Sequence, residues 1–581
     1  MNPIKTAAMK LHPRRLRISP LLGALLFAFS CSTLAAEEVA KENALGALAS
    51  PPPAGELTPE ILYQFMFAEM AAKRGQAPLS VAAYLDLAKT TRDPGIAKRA
   101  AEVALNARQY DAALAATRIW VAGEPNSVGA QQMALTLAAA FGRLDEVEAH
   151  LSRALELDPA NVPSLLMRLN RLLARVSDKA AAYKVVFDAT APYAKMPEAH
   201  FARAQAAYAA KDFPRAQADV DAALALKPDW EFAILLKALM VQTDPAAVIA
   251  VLQPFVKSYP EASDARLGLA RALVAERRFD DALVEFKEVL ARQPNNPDVI
   301  YATGLLYMQV RDYDNAEIQL SRLVEMGYAE SNLVRTYLGQ IAEEKKDLKT
   351  AAAWYAGVTP STQYLPAQAR AAQLTARLGD LDGARMLLQR VKPTDETGQV
   401  QLLLAEASLL REANRQEEAY AFLNKALSAR PNNPELLYET ALAADRLQKY
   451  DVAEQLWQKL ITLKPDHAHA YNALGYSMAE RGVRLDEAQQ LIDKALALLP
   501  EDPFIMDSKG WVQFRKGDKQ GALDTLQKAF SRRPDPEIAA HLGEVLWSLG
   551  RQDDARKVWA DAVRESPDNA ALADTIKKYL P

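Results

Sequence analysis

The sequence holds one cysteine, Cys31, among 581 residues. No disulfide framework and no thiolate metal site can be built from it, so stability has to come from packing alone. Histidine is scarce too. His12, His150, His200, His467, His469 and His541 are the whole set, and none falls in an H-E-x-x-H arrangement. No G-x-x-x-x-G-K-S/T loop is present, and no G-x-G-x-x-G follows a strand pattern, so no phosphate cradle and no cofactor is expected. Charge of one sign is lacking as well. The formal net charge is −4 without a long block of like charge, which leaves no nucleic-acid surface and no polybasic membrane patch. Aromatics are only 7% of the chain. Alanine is abundant instead, which favours helices whose backbones approach closely.

What is present begins with a basic run at Lys10, Arg14, Arg15 and Arg17, followed by the apolar "LLGALLFAFSCSTLAA". The stretch is short for a bilayer span and reads as a secretory signal over residues 1–36. Two processing routes fit. Cleavage after Ala35 or Ala36 releases a soluble periplasmic chain; lipidation of Cys31 tethers it to a membrane. Residues 37–57, with "SPPPAGELTP", have the composition of a flexible leader.

From there the chain repeats. Ala282, Ala316, Ala351, Ala384, Ala419, Ala453, Ala488, Ala522 and Ala555 follow one another at steps of 33 to 35 residues. So do Pro431, Pro465, Pro500, Pro534 and Pro567. Gly304 and Gly339, then Gly475, Gly510 and Gly543, mark a second small position. A period near 34 with this pattern resembles the tetratricopeptide repeat, a pair of antiparallel helices. The expected fold is an all-α tetratricopeptide-repeat superhelix of about 15 helix pairs, degenerate over 58–260 and regular over 261–567, with a capping helix over 568–581. The stretch around 160–195 is irregular, and the first unit, 58–93, is atypical, as a capping unit should be. Within a pair the glycine and the alanine let the two helices touch. Asp314, Asp382, Asp518 and Asp553 are placed to cap second helices, and the prolines to end them. Leu526 with Phe530, and Trp559 with Val563, fill the space between units.

Chemistry is thin along this array. His467 and His469 could pair on a metal, as in a metallopeptidase, or sit in an exposed loop beside the binding face; two ligands without a carboxylate or cysteine make a poor site. Ser508 and Lys509 are neighbours on one helix and point to different sides. The remaining candidate is surface, on the concave side lined by first helices. Helical register puts Tyr301, Met308, His469, Asn472, Tyr476, Phe504, Asp507, Trp511, Phe514, Arg515, Glu537, Glu544 and Trp547 there. Aromatics beside charges suit a bound peptide. Trp511 and Trp547 either face that groove or pack between units.

Two further stretches carry a narrower resemblance: "LYQFMFAEMAAKRGQAPLSVAAYLDLAKTTRDPGIAKRAAEVAL" near the start, and "YNALGYSMAERGVRLDEAQQLIDKALALLPEDPFIMDSKGWVQFRKG" with "DPEIAAHLGEVLW" near the end. They are similar to Gram-negative outer-membrane TPR lipoproteins of the LbcA kind, binding partners of a carboxyl-terminal processing protease. The resemblance implies a non-enzymatic envelope adaptor with protein partners, that protease and peptidoglycan hydrolases among them. The alternative is an assembly factor for an outer-membrane machine such as a pilus, a secretin or a polysaccharide exporter.

Overall fold

The computed structural model describes residues 58–393 and 395–580. The signal, the leader and Cys31 lie outside them. The described residues contain 31 α-helices, three short 3-10 turns and no strand. Counted along the chain, they form 15 successive helix pairs and a last single helix, Ala570–Tyr579.

The chain divides into two units, each an all-α solenoid. Residues 58–310 hold seven pairs, from Pro59–Lys73 with Ala77–Thr91 to Ser263–Ala275 with Phe279–Arg292, and then Pro297–Gln309. The irregular stretch is the pair Val162–Leu172 and Lys179–Thr190, each helix running into a 3-10 turn. Residues 311–580 open with Tyr313–Glu325, continue through seven pairs from Ser331–Glu344 to Gln552–Glu565, and close with Ala570–Tyr579.

The repeating alanines are the reason the pairs close. All nine, from Ala282 to Ala555, have 0% exposure. Four residues further, one helical turn on, stands a large buried side chain each time: Phe286, Leu320, Tyr355, Leu388, Leu423, Trp457, Ile492, Leu526 and Trp559. The first helix answers with its small residue. A Cβ on Gly475 would lie 2.8 Å from Ile492 and 2.9 Å from the Ala488 carbonyl, and one on Gly510 would lie 2.6 Å from Leu526. One on Gly339 would lie 2.7 Å from the Tyr355 ring, and Gly304 is buried likewise. At Gly339, Gly475 and Gly510 small therefore faces large across the pair, as close packing demands.

Pair turns share one geometry. Two residues before most second helices the backbone is left-handed, at Arg108, Lys211, Arg277, Arg311, Lys346, Asn414 and Gln448, or at Gly142, Gly379, Gly517 and Gly550. The next residue holds the N-cap position, and where it is an aspartate its side chain caps the second helix. Asp518 does so as expected, accepting from the Gly521 N–H at 2.9 Å. At the other turns the expectation needs correcting. Asp312 and Asp380 are the caps, accepting from Asn315 and Gly383. Asp314 and Asp382 lie inside the first helical turn, and the helix at Asp553 starts after Arg551 with no side-chain cap. The left-handed residue fixes the start of the helix, so the aspartate next to it does the capping. At the far end, the residue before each closing proline (Arg430, Lys464, Leu499, Arg533 and Ser566) has left helical geometry. The proline ring disfavours α geometry one residue upstream. Val563 is exposed and does not fill the core beside Trp559.

Candidate functional site

In the unit 311–580, successive first helices from Tyr364–Arg377 to Pro536–Ser548 touch one another, and second helices pack mainly on the first helices at either side. The residue just after the small position is buried on the side where these first helices meet. Tyr476, Trp511 and Glu544 hold this place.

Three of these helices, Ala468–Arg481, Pro503–Arg515 and Pro536–Ser548, are joined by a buried polar cluster. Asp507 is fully buried. Its carboxylate oxygens lie 2.9 and 3.1 Å from Nδ1 of His541, and the Tyr476 hydroxyl lies 3.4 Å from Nε2 of the same ring. Trp511 stacks on His541 with centroids 4.2 Å apart. Its indole N–H donates to Glu480 at 2.8 Å, and Arg515 donates to the Glu480 carbonyl at 2.6 Å. A carboxylate so deep must be matched by charge or donors, and the imidazole facing both oxygens supplies that match. Burial pushes the Tyr476 phenol well above its ordinary value. Two first helices before Asp507, at a different place in the repeat, a second aspartate is buried, and Ser477 of the next first helix donates to Asp445. His541 and Glu480 were not among the sequence-derived site residues. The available signal was that His541 stands one period after Asp507.

The predicted binding-face residues thus divide. Met308, Tyr476, Asp507, Trp511 and Glu544 are buried and do not line an open surface. Glu544 accepts from the Tyr579 hydroxyl of the last helix at 3.0 Å. Tyr301, His469, Asn472, Phe504, Phe514, Arg515, Glu537 and Trp547 are half-buried. Trp547 stacks on Trp559 and packs against Tyr579, so it joins repeats to the last helix. His467 is a helix cap rather than a loop residue. Its Nδ1 accepts from the Ala470 N–H at 3.1 Å, and burial pulls its pKa down. Among the described residues no group of three or more His, Cys, Asp or Glu side chains gathers as metal ligands do. Ser508 bonds the Phe504 carbonyl and Lys509 reaches Asp493, so that pair does point to different sides.

A different surface is exposed among the described residues. The first helix, Pro59–Lys73, buries only Ala68 and Ala71. Leu62, Tyr63, Met66, Phe67 and Met70 recur at helical spacing and are exposed, Tyr63 at 69% and Met66 at 52%. The helix is apolar on nearly every side, so periodicity alone gave no reason to single out one face. Contiguous exposed apolar side chains of this size mark interaction surfaces in soluble proteins.

Models of the tetratricopeptide repeat match residues 235–297, 273–341, 400–433, 438–503 and 508–570. A TPR repeat-containing protein of Pseudomonas aeruginosa is 31% identical over 529 residues, covering 87% of this chain and 85% of that protein. Cellulose synthase operon protein C of Pseudomonas fluorescens is 25% identical over 55% of this chain, which spans only 26% of that longer protein. Among solved structures, a tetratricopeptide repeat protein from Parabacteroides merdae is 18% identical, covers 44% of this chain and all of that one, and has a TM-score of 0.35. No enzymatic family appears among the family matches. With the period, the paired helices and a relative 31% identical over 87% of the chain in agreement, the chain belongs to the tetratricopeptide-repeat protein family.

Proposed function

We propose that this protein is a non-enzymatic periplasmic scaffold, held at the outer membrane if Cys31 is lipidated, that brings a carboxyl-terminal processing protease together with peptidoglycan hydrolases. Tetratricopeptide arrays work by binding proteins, and the uncovered apolar face of the first helix carries the binding part of this reading. The protease part rests on the resemblance of the segments 62–105, 471–517 and 535–547, the first of which contains that face. The mechanism is effective concentration: two partners on one array meet as if intramolecular, at roughly millimolar levels.

The test is capture of partners from the bacterial envelope on the mature chain, beside a variant carrying Tyr63→Glu and Met66→Glu. A processing protease and a cell-wall hydrolase should come with the wild-type protein, and the double variant should lose the protease while melting unchanged. Recovery of neither partner by the wild type would refute the reading. The likeness to cellulose synthase operon protein C over 55% of the chain favours a second reading, an assembly factor for an exporter. In that case outer-membrane subunits would be captured and hydrolase turnover would not change.

A further inference from the structure

Two arginines are more than nine-tenths buried among the described residues, Arg203 and Arg266. Arg266 is matched in the ordinary way, with Nη1 2.5 Å from Glu285 and Nη2 donating to the Pro260 carbonyl. Arg203, at 7% exposure, is not. Its Nε donates to the Thr190 hydroxyl at 2.6 Å. That hydroxyl spends its own proton on the Val186 carbonyl at 2.7 Å and so offers Arg203 a lone pair. The guanidinium lies over the Phe187 ring, 4.8 Å from its centroid. Among the described residues no carboxylate makes an ion pair with it. Two acids on the following turn and helix are engaged elsewhere, Asp219 by His200 and Asp212 by Arg215 and the Arg215 N–H.

A guanidinium keeps its charge at any physiological pH and loses solvation when it is buried without an anion. Here it is anchored at Nε and stacked on one face, which leaves the Nη edge as the free side of the fork. That edge is the one that receives both oxygens of a carboxylate. Phe187 beside it is 43% exposed. We propose that Arg203 is a receptor for a carboxylate of a bound polypeptide, with Phe187 taking the adjoining apolar side chain. The site lies between the helices Lys179–Thr190 and Pro197–Ala209, away from the first helix. It rests on the protein-binding reading above, but not on the identity of the partner.

The test uses the full mature chain and three N-acetylated dipeptide probes: Phe-Ala with a free α-carboxylate, Phe-Ala amide, and Phe-Glu amide. Ligand-observed NMR titration at low salt measures each. The amide should fail to bind, and whichever carboxylate probe binds tells a chain terminus from an acidic side chain. Arg203→Gln and Arg203→Lys should each weaken that probe at least tenfold, since an ammonium cannot present the fork, and inorganic phosphate should compete poorly. Arg203→Met should melt no lower than wild type, because it removes an unpaired buried charge. Binding of neither carboxylate probe, equal binding of the amide, or a markedly lower melting point of Arg203→Met would overturn the proposal. Envelope capture of partners could still succeed in that event, which separates this failure from failure of the scaffold reading.

Discussion

At the scale of single residues, burial sets the chemistry of Asp445. Desolvation pushes its carboxyl up to about 6 from an ordinary 3.8, and the Ser477 hydrogen bond and nearby arginines pull back only in part. An aspartate held protonated in the fold binds more protons there than in the unfolded chain. Stability therefore falls as pH rises from 3.8 toward 6 and is level above that. The loss is on the order of 2–3 kcal/mol. Asp445→Asn keeps an acceptor for Ser477, so it should melt higher than wild type at pH 7.5 and alike at pH 4. Melting curves across that range would check it, and an identical pH profile for the two proteins would refute the assignment. Gly543 is the sharpest packing constraint. A Cβ there would fall 2.0 Å from the Trp559 indole nitrogen. Gly543→Ala should cost about 1–3 kcal/mol or more, measured by denaturant unfolding, and Trp559→Leu in the same chain should recover part of the loss.

At the scale of elements, turns and caps are where local sequence decides. Gln448 is exposed and left-handed, with φ of 59°, at the turn before Tyr450–Leu463. An L-residue there is strained by about 1–2 kcal/mol, offset in part by the entropy glycine would lose. Gln448→Gly should thus stabilise by about 0.5 kcal/mol. Gly517→Val, at the same kind of turn with φ of 94°, should destabilise, and paired melts of the two variants would show the opposite signs. The left-handed position also explains why Asp312 and Asp380, not Asp314 and Asp382, are the caps. Two aspartates stood within reach in the sequence, and only the turn geometry chose between them.

At the scale of the whole molecule, a stack of helix pairs is close to one-dimensional, and damage stays near its source. Gly510→Leu would force the helix Pro503–Arg515 away from Leu526. Amide hydrogen exchange should speed up in 468–565 and stay as in the wild type over 94–157. Uniform loosening along the chain would contradict this picture. Removing Ala570–Tyr579 should likewise fray the C-terminal pair, because it strips Tyr579 from Trp547, Trp559 and Glu544. Tryptophan emission from those two rings should then shift to longer wavelength.

The 34-residue period, the small columns, the proline stops and the number of pairs could all be read from the sequence, because each reflects contacts between near neighbours in the chain. Burial of Asp507 under His541, the loss of Tyr476 and Trp511 from the open face, the bare side of Pro59–Lys73 and the unmatched Arg203 could not. They depend on which helix lies against which, and on which faces other described helices leave exposed. Those are facts of packing between repeats, and a pattern within one repeat does not carry them.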